Sequence, residues 1–409
     1  MTNLVIIGGG HAAAQAATSL KLKKFDGHVT LITEEAEVPY QRPPLSKAYL
    51  SGELAAERLP ILRQTAYENA GVSLKLGTRA EAIDRTAKTV SLSNGETLSY
   101  DKLLLATGGR PRKLTCPGAE LDGVHYVRTM ADTDKMRPEF DAATKILVVG
   151  GGYIGLEIAA VARKAGKDVT VLEAMDRILA RVVAPEVSEF YANLHTTEGV
   201  KIHTNQMVTE IKGTNRVEAV VTANGDRFEA DLIVAGIGLI ANVELAESAG
   251  LTLAPMGISV NEYCQTSDKD IYAIGDVTWH HNPLYDREIR LESVQNAVDQ
   301  AKTAIGHILG DTAPYDTLPW FWSDQYGLKL QIAGLSTGFD TIVTRGTPAD
   351  RSVAFFYLKD NKLIATDCVG RMGEFMQSKK LIAAKVLVDA TALADDSRPI
   401  KEIAAEFMA

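Results

Sequence analysis

The stretch KILVVGGGYIGLEIA (145–159) decides the fold, because an apolar strand runs directly into Gly150, Gly152 and Gly155. In a G-x-G-x-x-G turn the first glycine permits the tight bend and the second lets a pyrophosphate approach the backbone. The third lets the following helix pack on the strand, while the helix N-terminus faces the negative charge. One such match is weak, since glycine-rich turns are common. This chain carries a second at LVIIGGGHAAAQAA (4–17), where Gly8, Gly10 and Ala13 hold the same spacing 142 residues earlier. One nucleotide needs one fingerprint. Two imply that two dinucleotides meet, one delivering a hydride and the other receiving it.

Each fingerprint heads a similar segment. After the first come GHVTLITEE (27–35), Asn94-Gly95 and YDKLLLATGG (100–109); after the second come KDVTVLEA (167–174), Asn224-Gly225 and ADLIVAGIG (230–238). Asn94 precedes Asp101 by seven residues and Asn224 precedes Asp231 by seven. Asn-Gly predicts a type I′ hairpin turn, because both residues tolerate positive φ. The runs LVIIG, KLLLA, ILVVG and DLIVA read as strands buried on both faces of parallel sheets, and HAAAQAATSLKL and YIGLEIAAVARKAG read as crossing helices. Gly166 is placed to stop the second helix. Glu34 or Glu35 follows Gly10 by 24 or 25 residues, and Glu173 follows Gly152 by 21, the place of an acid that accepts from ribose hydroxyls. Surface acids at strand ends are the plain alternative.

With 409 residues the chain has room for two or three domains. A net charge of −9 argues against a nucleic-acid partner, whose binding rests on neutralised phosphates. The most apolar stretch, 146–162, is interrupted by Glu157 and four glycines, so a membrane span is not expected. Thr2-Asn3 leads straight into a core strand without a signal-peptide pattern, and a cytoplasmic protein is expected. Cys116, Cys264 and Cys368 are isolated, so all three read as small core residues rather than a thiol relay. His280-His281 reads as surface, not as a metal site.

Past residue 238 the repeat ends. DIYAIGD (270–276) is a further strand and 292–309 a long helix; KLQIAGL and SVAFFYLKDNKLIATDCV alternate around a turn at Asp360-Asn361, and EFMQSKKLIAAKVLV reads as a last helix. The final IKEIAAEFMA is short and weakly amphipathic.

The strings GGGHAA, PYQRPPLSK (39–47), LLATGGRPR, GGGYIGLE, TSDKDIYAIGDV (266–277) and PWFWSDQY (319–326) together resemble the single-chain, FAD-containing ferredoxin reductases. That family includes the putidaredoxin reductase type and the reductases of aromatic-ring dioxygenases, and PPLSKAYL and PWFWSDQY resemble the branch serving cytochrome P-450 monooxygenases. The resemblance implies an α/β fold of two Rossmann-like, glutathione-reductase-like domains and a small C-terminal α+β domain. FAD would occupy a discontinuous domain, 1–108 with 240–310, NADH would occupy 109–239, and 311–409 would close the chain. It also implies roles. Gly8, Gly10, His11, Ala12, Ala13 and Glu34 or Glu35 would line the FAD site with Arg42, Arg128, Asp276 and the backbone of Val294. Gly150, Gly152, Tyr153, Ile154, Gly155, Glu173, Arg181 and Gly236 would line the NADH site. Lys47, partnered by Glu157, would sit by the flavin ring, and Trp322 rather than Trp320 would lie beside it. Trp320, Phe321 and Trp322 as ordinary core is the other reading.

The expected chemistry is hydride transfer from NADH to FAD, then single electrons to an acidic [2Fe–2S] ferredoxin, with no metal in the chain itself. Lys302 and Lys379 are the candidate docking cations, against the plain alternative of a solvated helix face. A monomer or weak homodimer is expected. Rival readings are an NADH oxidase or disulfide reductase, which want a reactive cysteine where Ser46 stands, a membrane quinone reductase, and a flavin redox sensor without turnover. A carboxylate at Glu173 repels a 2′-phosphate and favours NADH, whereas the nearby Arg177 and Arg181 either hold pyrophosphate or face solvent.

Overall fold

A computed structural model describes residues 2–409. The chain divides into two compact units. One holds the chain up to Arg42 with Ala55–Arg110 and Leu239–Pro319; the other holds Pro43–Leu54, Pro111–Gly238 and Trp320–Ala409.

The first unit is built on a parallel sheet ordered Ile271–Ala273, Lys102–Leu105, Thr2–Ile7, Gly27–Ile32, Val72–Lys75. The central strands are apolar over Leu4–Ile7 and Leu103–Leu105, where both faces are covered. Leu4 and Ile6 pack with Ala13, Ala16 and Ala17 of the helix His11–Leu22, while Val5 and Ile7 pack with Val90, Leu105 and Ile258 on the other side. The alanine-rich helix face lets the helix lie close on the sheet.

The second unit repeats the plan with order Lys201–His203, Asp168–Leu172, Lys145–Val149, Leu232–Ala235, Val124–His125. The repeat extends to single bonds. Asp101 Oδ2 accepts from Asn3 N–H at 2.7 Å, and Asp231 Oδ2 accepts from Lys145 N–H at 2.7 Å. The two sheets differ in the origin of one edge. Ile271–Ala273 comes long after its module begins, whereas Val124–His125 precedes its module and is too short to be read from sequence. Gly166 adopts φ +79° just past the helix Tyr153–Lys164, as the sequence indicates.

Both Asn-Gly hairpins depart from the expected turn. Positive φ occurs at Gly95 (+85°) and Gly225 (+83°) but not at the asparagines. Leu92 C=O accepts from Gly95 N–H while Leu92 N–H donates to Glu96 C=O, and Thr222 repeats both bonds with Gly225 and Asp226. These are three-residue loops with a glycine bulge, which need one left-handed residue rather than two. The two-residue turn with both φ positive stands at Asp360-Asn361, between the paired Lys359 and Lys362.

The second unit also contains an antiparallel sheet ordered Trp320–Gln325, Leu328–Gly334, Lys362–Val369, Ser352–Lys359, Thr341–Thr347. The helix expected to run through EFMQSKKLIAAKVLV spans Met372–Ala384 and stops where Lys385 turns to φ +53°, and two more helices, Ala390–Ala394 and Ile400–Met408, follow. Nor is IKEIAAEFMA weakly amphipathic. Ile400, Ile403 and Ala404 are buried on one face while Lys401, Glu402, Ala405 and Glu406 are exposed, and the helix packs on Met372–Ala384.

Two further expectations need correction. Cys264 and Cys368 are buried, but Cys116 is half-buried in a loop, where desolvation pushes its thiol pKa up. His280 is not a surface residue: it is buried against Tyr315 and Gln300, and only His281 is exposed. Among the described residues no cluster of metal-ligating side chains occurs, and no helix is long and apolar enough to cross a membrane.

Candidate functional site

In the first unit the turn after Thr2–Ile7 is a cradle open on one side. Gly8 adopts φ +133°, and a Cβ there would lie 2.1 Å from the Ala106 carbonyl oxygen. Gly10 differs: a Cβ would meet nothing within 4 Å. The first glycine is required by the protein itself, whereas the second leaves space beside a helix N-terminus that begins at His11. That space fits a pyrophosphate. Ala12 and Ala13, at the next positions, are buried against the sheet.

A second helix N-terminus comes to the same place. Gly275 (φ +81°) would put a Cβ 3.4 Å from that of Ala12 and 3.7 Å from that of Ala297, so it joins the first turns of His11–Leu22 and Val294–Ile308. Asp276 follows at this junction, half-buried, and Val294 opens the second helix, which Ser293 caps by accepting from Asn296 N–H at 3.1 Å. Two supports escape the sequence reading. Gln300 Oε1 accepts from Gly275 N–H at 2.7 Å, and Arg290 Nε donates to the Asp276 carbonyl at 2.8 Å. Of the two candidate acids, Glu35 is paired with Arg42 and accepts from Tyr40 Oη, whereas Glu34 is exposed.

The second unit repeats the cradle. Gly150 adopts φ +104° and would put a Cβ 2.5 Å from the Gly236 carbonyl oxygen; Gly155 would put one 2.2 Å from that of Gly150. At Gly152 the nearest atom is 4.0 Å away. Glu173 closes the turn, accepting from Gly151 N–H at 2.7 Å and from Met175 N–H at 2.8 Å. The equivalent strand-end position in the first unit is Thr33, whose Oγ1 would lie 2.4 Å from a Cβ on Gly9. Ile154 is exposed at the start of its helix, and Arg181 is exposed beside Gly238. Arg177 is tied into its own loop, donating to the Val183 and Ala180 carbonyls and to Ser188 Oγ. Arg128 lies in this unit too, its N–H donating to Asp132 Oδ2 at 3.1 Å.

Lys47 and Glu157 meet. Lys47 Nζ lies 2.6 Å from Glu157 Oε2, and the carboxylate accepts two further bonds, from Ser46 Oγ at 2.6 Å and from Ser323 Oγ at 2.7 Å. A buried carboxylate with an ion-pair partner and two hydroxyl donors is satisfied, which is what burial of a charge demands. Neither serine is visible in the sequence as a partner of Glu157, because nothing local to either shows a partner more than a hundred residues away.

The strand Trp320–Gln325 sorts its motif by parity. Phe321 lies against Tyr153 with ring centroids 4.8 Å apart, and Ser323 bonds Glu157, so the odd positions face the helix Tyr153–Lys164. The even positions carry Trp320 and Trp322, their rings 5.5 Å apart. Lys379 Nζ lies over Trp320 at 5.3 Å, and Lys302 Nζ, on an exposed helix face of the other unit, is 2.9 Å from Asp299. Tyr153 buries its hydroxyl without a hydrogen-bond partner, and desolvation holds its pKa well above the usual phenol range.

Comparison with known proteins agrees with this geometry. The family described as pyridine nucleotide-disulphide oxidoreductase matches residues 2–301, and the one described as reductase C-terminal matches 320–404. Over 404 residues the chain is 43% identical to the 5,5′-dehydrodivanillate O-demethylase ferredoxin reductase subunit of Sphingobium sp., covering 98% of each. Over 409 residues it is 43% identical to putidaredoxin reductase of Pseudomonas putida, covering 98% of this chain and 97% of that one. The crystal structure of the covalent putidaredoxin reductase–putidaredoxin complex matches with a TM-score of 0.96 at 43% identity, over 100% of this chain and 99% of that one. The chain belongs to the pyridine nucleotide-disulphide oxidoreductase family, in the group of ferredoxin reductases that carry this C-terminal domain. It is an oxidoreductase that uses FAD and NAD(H).

Proposed function

We propose that this chain passes electrons from NADH to a [2Fe–2S] ferredoxin that supplies an oxygenase such as a cytochrome P-450. One observation carries the reading: each of two Rossmann modules keeps an open face at its second glycine, Gly10 and Gly152, beside an uncovered helix N-terminus. FAD supplies the chemistry when bound, accepting a hydride from NADH and releasing electrons singly.

The chain's own residues bind and orient. In the proposed FAD domain, 1–108 with 240–310, Gly8, Gly10, His11, Ala12 and Ala13 form the phosphate turn, and Glu34 or Glu35, Arg42, Asp276 and Val294 hold the rest. Arg128 and Trp322 are proposed to contribute from outside those segments. In the proposed NADH domain, 109–239, Gly150, Gly152, Tyr153, Ile154, Gly155 and Gly236 form the turn and Arg181 stands by it. Glu173, pinned by two backbone N–H groups, presents a fixed negative charge that disfavours a 2′-phosphate and so NADPH. Lys47, with Glu157 as its counter-ion, is proposed to carry the positive charge at the flavin. The C-terminal domain is proposed as 311–409.

Lys302 and Lys379 are proposed docking cations for an acidic partner. A monomer or weak homodimer is proposed, and a cytoplasmic location suits three free thiols. The test is reduction of purified [2Fe–2S] proteins with NADH and NADPH compared. Catalytic reduction with NADH about tenfold better in kcat/KM supports the reading, a ratio worth about 1.4 kcal/mol. Turnover of disulfides or quinones with no ferredoxin reduction contradicts it.

A further inference from the structure

We infer that Ser323, Gln325 and His195 form a one-directional hydrogen-bond relay that positions the Glu157 carboxylate, and through it Lys47. The inference deepens the function proposed above and rests on it for its kinetic consequence, though not for its geometry.

The direction of the relay is fixed at the carboxylate. An ionised Glu157 only accepts, so the single hydroxyl proton of Ser323 points to Oε1 at 2.7 Å. Ser323 Oγ is then left as an acceptor, and Gln325 must offer it the amide N–H, Nε2 at 3.2 Å. That choice turns Gln325 Oε1 toward His195 Nε2, 2.8 Å away, which must therefore carry the proton. Nδ1 is left bare and accepts from Tyr326 Oη at 3.1 Å. Every donor points toward Glu157, an arrangement in which each bond polarises the next.

Burial and backbone agree with this reading. Ser323 and His195 are fully buried and Gln325 is 1% exposed, so water does not compete for these bonds. Tyr326 sits at φ +52° in the turn with Gly327, a conformation that a bulky residue adopts at a cost, and its ring meets the His195 ring edge-on at 5.0 Å. Ser323 and Gln325 share the strand face that lies on the helix Tyr153–Lys164, whereas the tryptophans take the other face. An amide does not hand protons on, so the relay orients and holds a charge; it does not conduct. The antiparallel sheet at the C-terminal end thereby acts on the Lys47–Glu157 pair, a role separate from any partner docking.

The test uses Ser323→Ala, Ser323→Thr and Gln325→Leu with three readouts. Lys47 acylation by limiting acetic anhydride at one pH, followed by peptide mass spectrometry, reports how firmly Glu157 holds the ammonium, with or without flavin. Side-chain 15N NMR reports the His195 tautomer. We expect the Nε2–H tautomer in the parent, about tenfold faster Lys47 labelling in Ser323→Ala, and near-parent labelling in Ser323→Thr. The rate of flavin reduction by NADH should fall in the same order with NADH affinity unchanged. An Nδ1–H tautomer, unchanged labelling in Ser323→Ala, or an unchanged reduction rate would each overturn the inference. Should the parent flavin not be reduced by NADH at all, the proposed function fails while labelling and tautomer still judge the relay.

Discussion

Lys47 Nζ and Glu157 Oε2 stand 2.6 Å apart with the carboxylate 5% exposed and the ammonium 18% exposed, a largely desolvated pair between the loop Pro43–Leu54 and the helix that follows the second glycine turn. Removing one partner of such a pair strands the other. Glu157→Ala and Lys47→Ala should each destabilise the protein by roughly 3 kcal/mol, and the double variant by clearly less than the sum. Urea unfolding of the four proteins checks this. Additive losses would show that the contact does not couple the two residues.

Gly10 and Gly152 face open space with ordinary backbone angles, φ −105° and −82°, so alanine at either site is compatible with the fold. Gly10→Ala should fold yet lose FAD, and Gly152→Ala should keep FAD while weakening NADH binding by about tenfold or more. Gly8→Ala should instead fail to fold well, because its Cβ would collide with the Ala106 carbonyl at 2.1 Å. Flavin absorbance, NADH titration and circular dichroism separate these outcomes. If Gly10→Ala bound FAD normally, the phosphate would lie elsewhere.

Two buried groups titrate against each other. Burial lowers the His195 pKa from 6.5 to about 4, so the unfolded chain takes up a proton first and stability falls as pH drops through that window. Burial raises the Asp367 pKa from 3.8 to about 7, opposed by its hydrogen bond from Tyr357, so the folded protein keeps a proton that the unfolded chain loses. The Asp367 contribution is present below the unfolded value and is lost as pH rises toward about 7. Between pH 4.5 and 6.5 the two slopes oppose. Relative to the parent, Asp367→Asn should gain stability and His195→Gln should lose it as pH rises across that range, each by about 2 kcal/mol. Equal slopes in all three proteins by urea unfolding would contradict the assignment.

Lys379 lies over Trp320 and Lys302 lies beside Asp299, yet both cations can be reversed without touching either nucleotide turn. Lys302→Glu with Lys379→Glu should raise the ferredoxin KM by about tenfold, with a weaker salt dependence, and leave NADH-to-ferricyanide turnover intact. Loss of both activities together would remove these residues from docking.

The parts of the fold that depend on local pattern were legible in the chain. Apolar strands ending in spaced glycines fixed both parallel sheets, and matching Asn-Gly and Asp positions exposed the repeat. Long-range placement was not. The edge strand Val124–His125 has no periodicity to read, and the turn type at Asn94-Gly95 was set by how the strands pair rather than by what asparagine tolerates. In the site, charged partners are visible as types, so Lys47 and Glu157 could be named from family likeness. Ser46, Ser323, Gln325 and His195 could not, since an uncharged polar residue in a strand or helix shows nothing of its partner until the chain is folded.

NADH is expected to reduce a flavin bound by this chain, and the electrons are then expected to leave singly. Anaerobic stopped-flow of the yellow protein with NADH, followed by mixing with oxidised [2Fe–2S] ferredoxin, follows both steps. Bleaching of the flavin within milliseconds to seconds, then stoichiometric reduction of two ferredoxins per NADH, is the predicted result. A protein that stays colourless after reconstitution with FAD, or a flavin that NADH leaves oxidised, would contradict it.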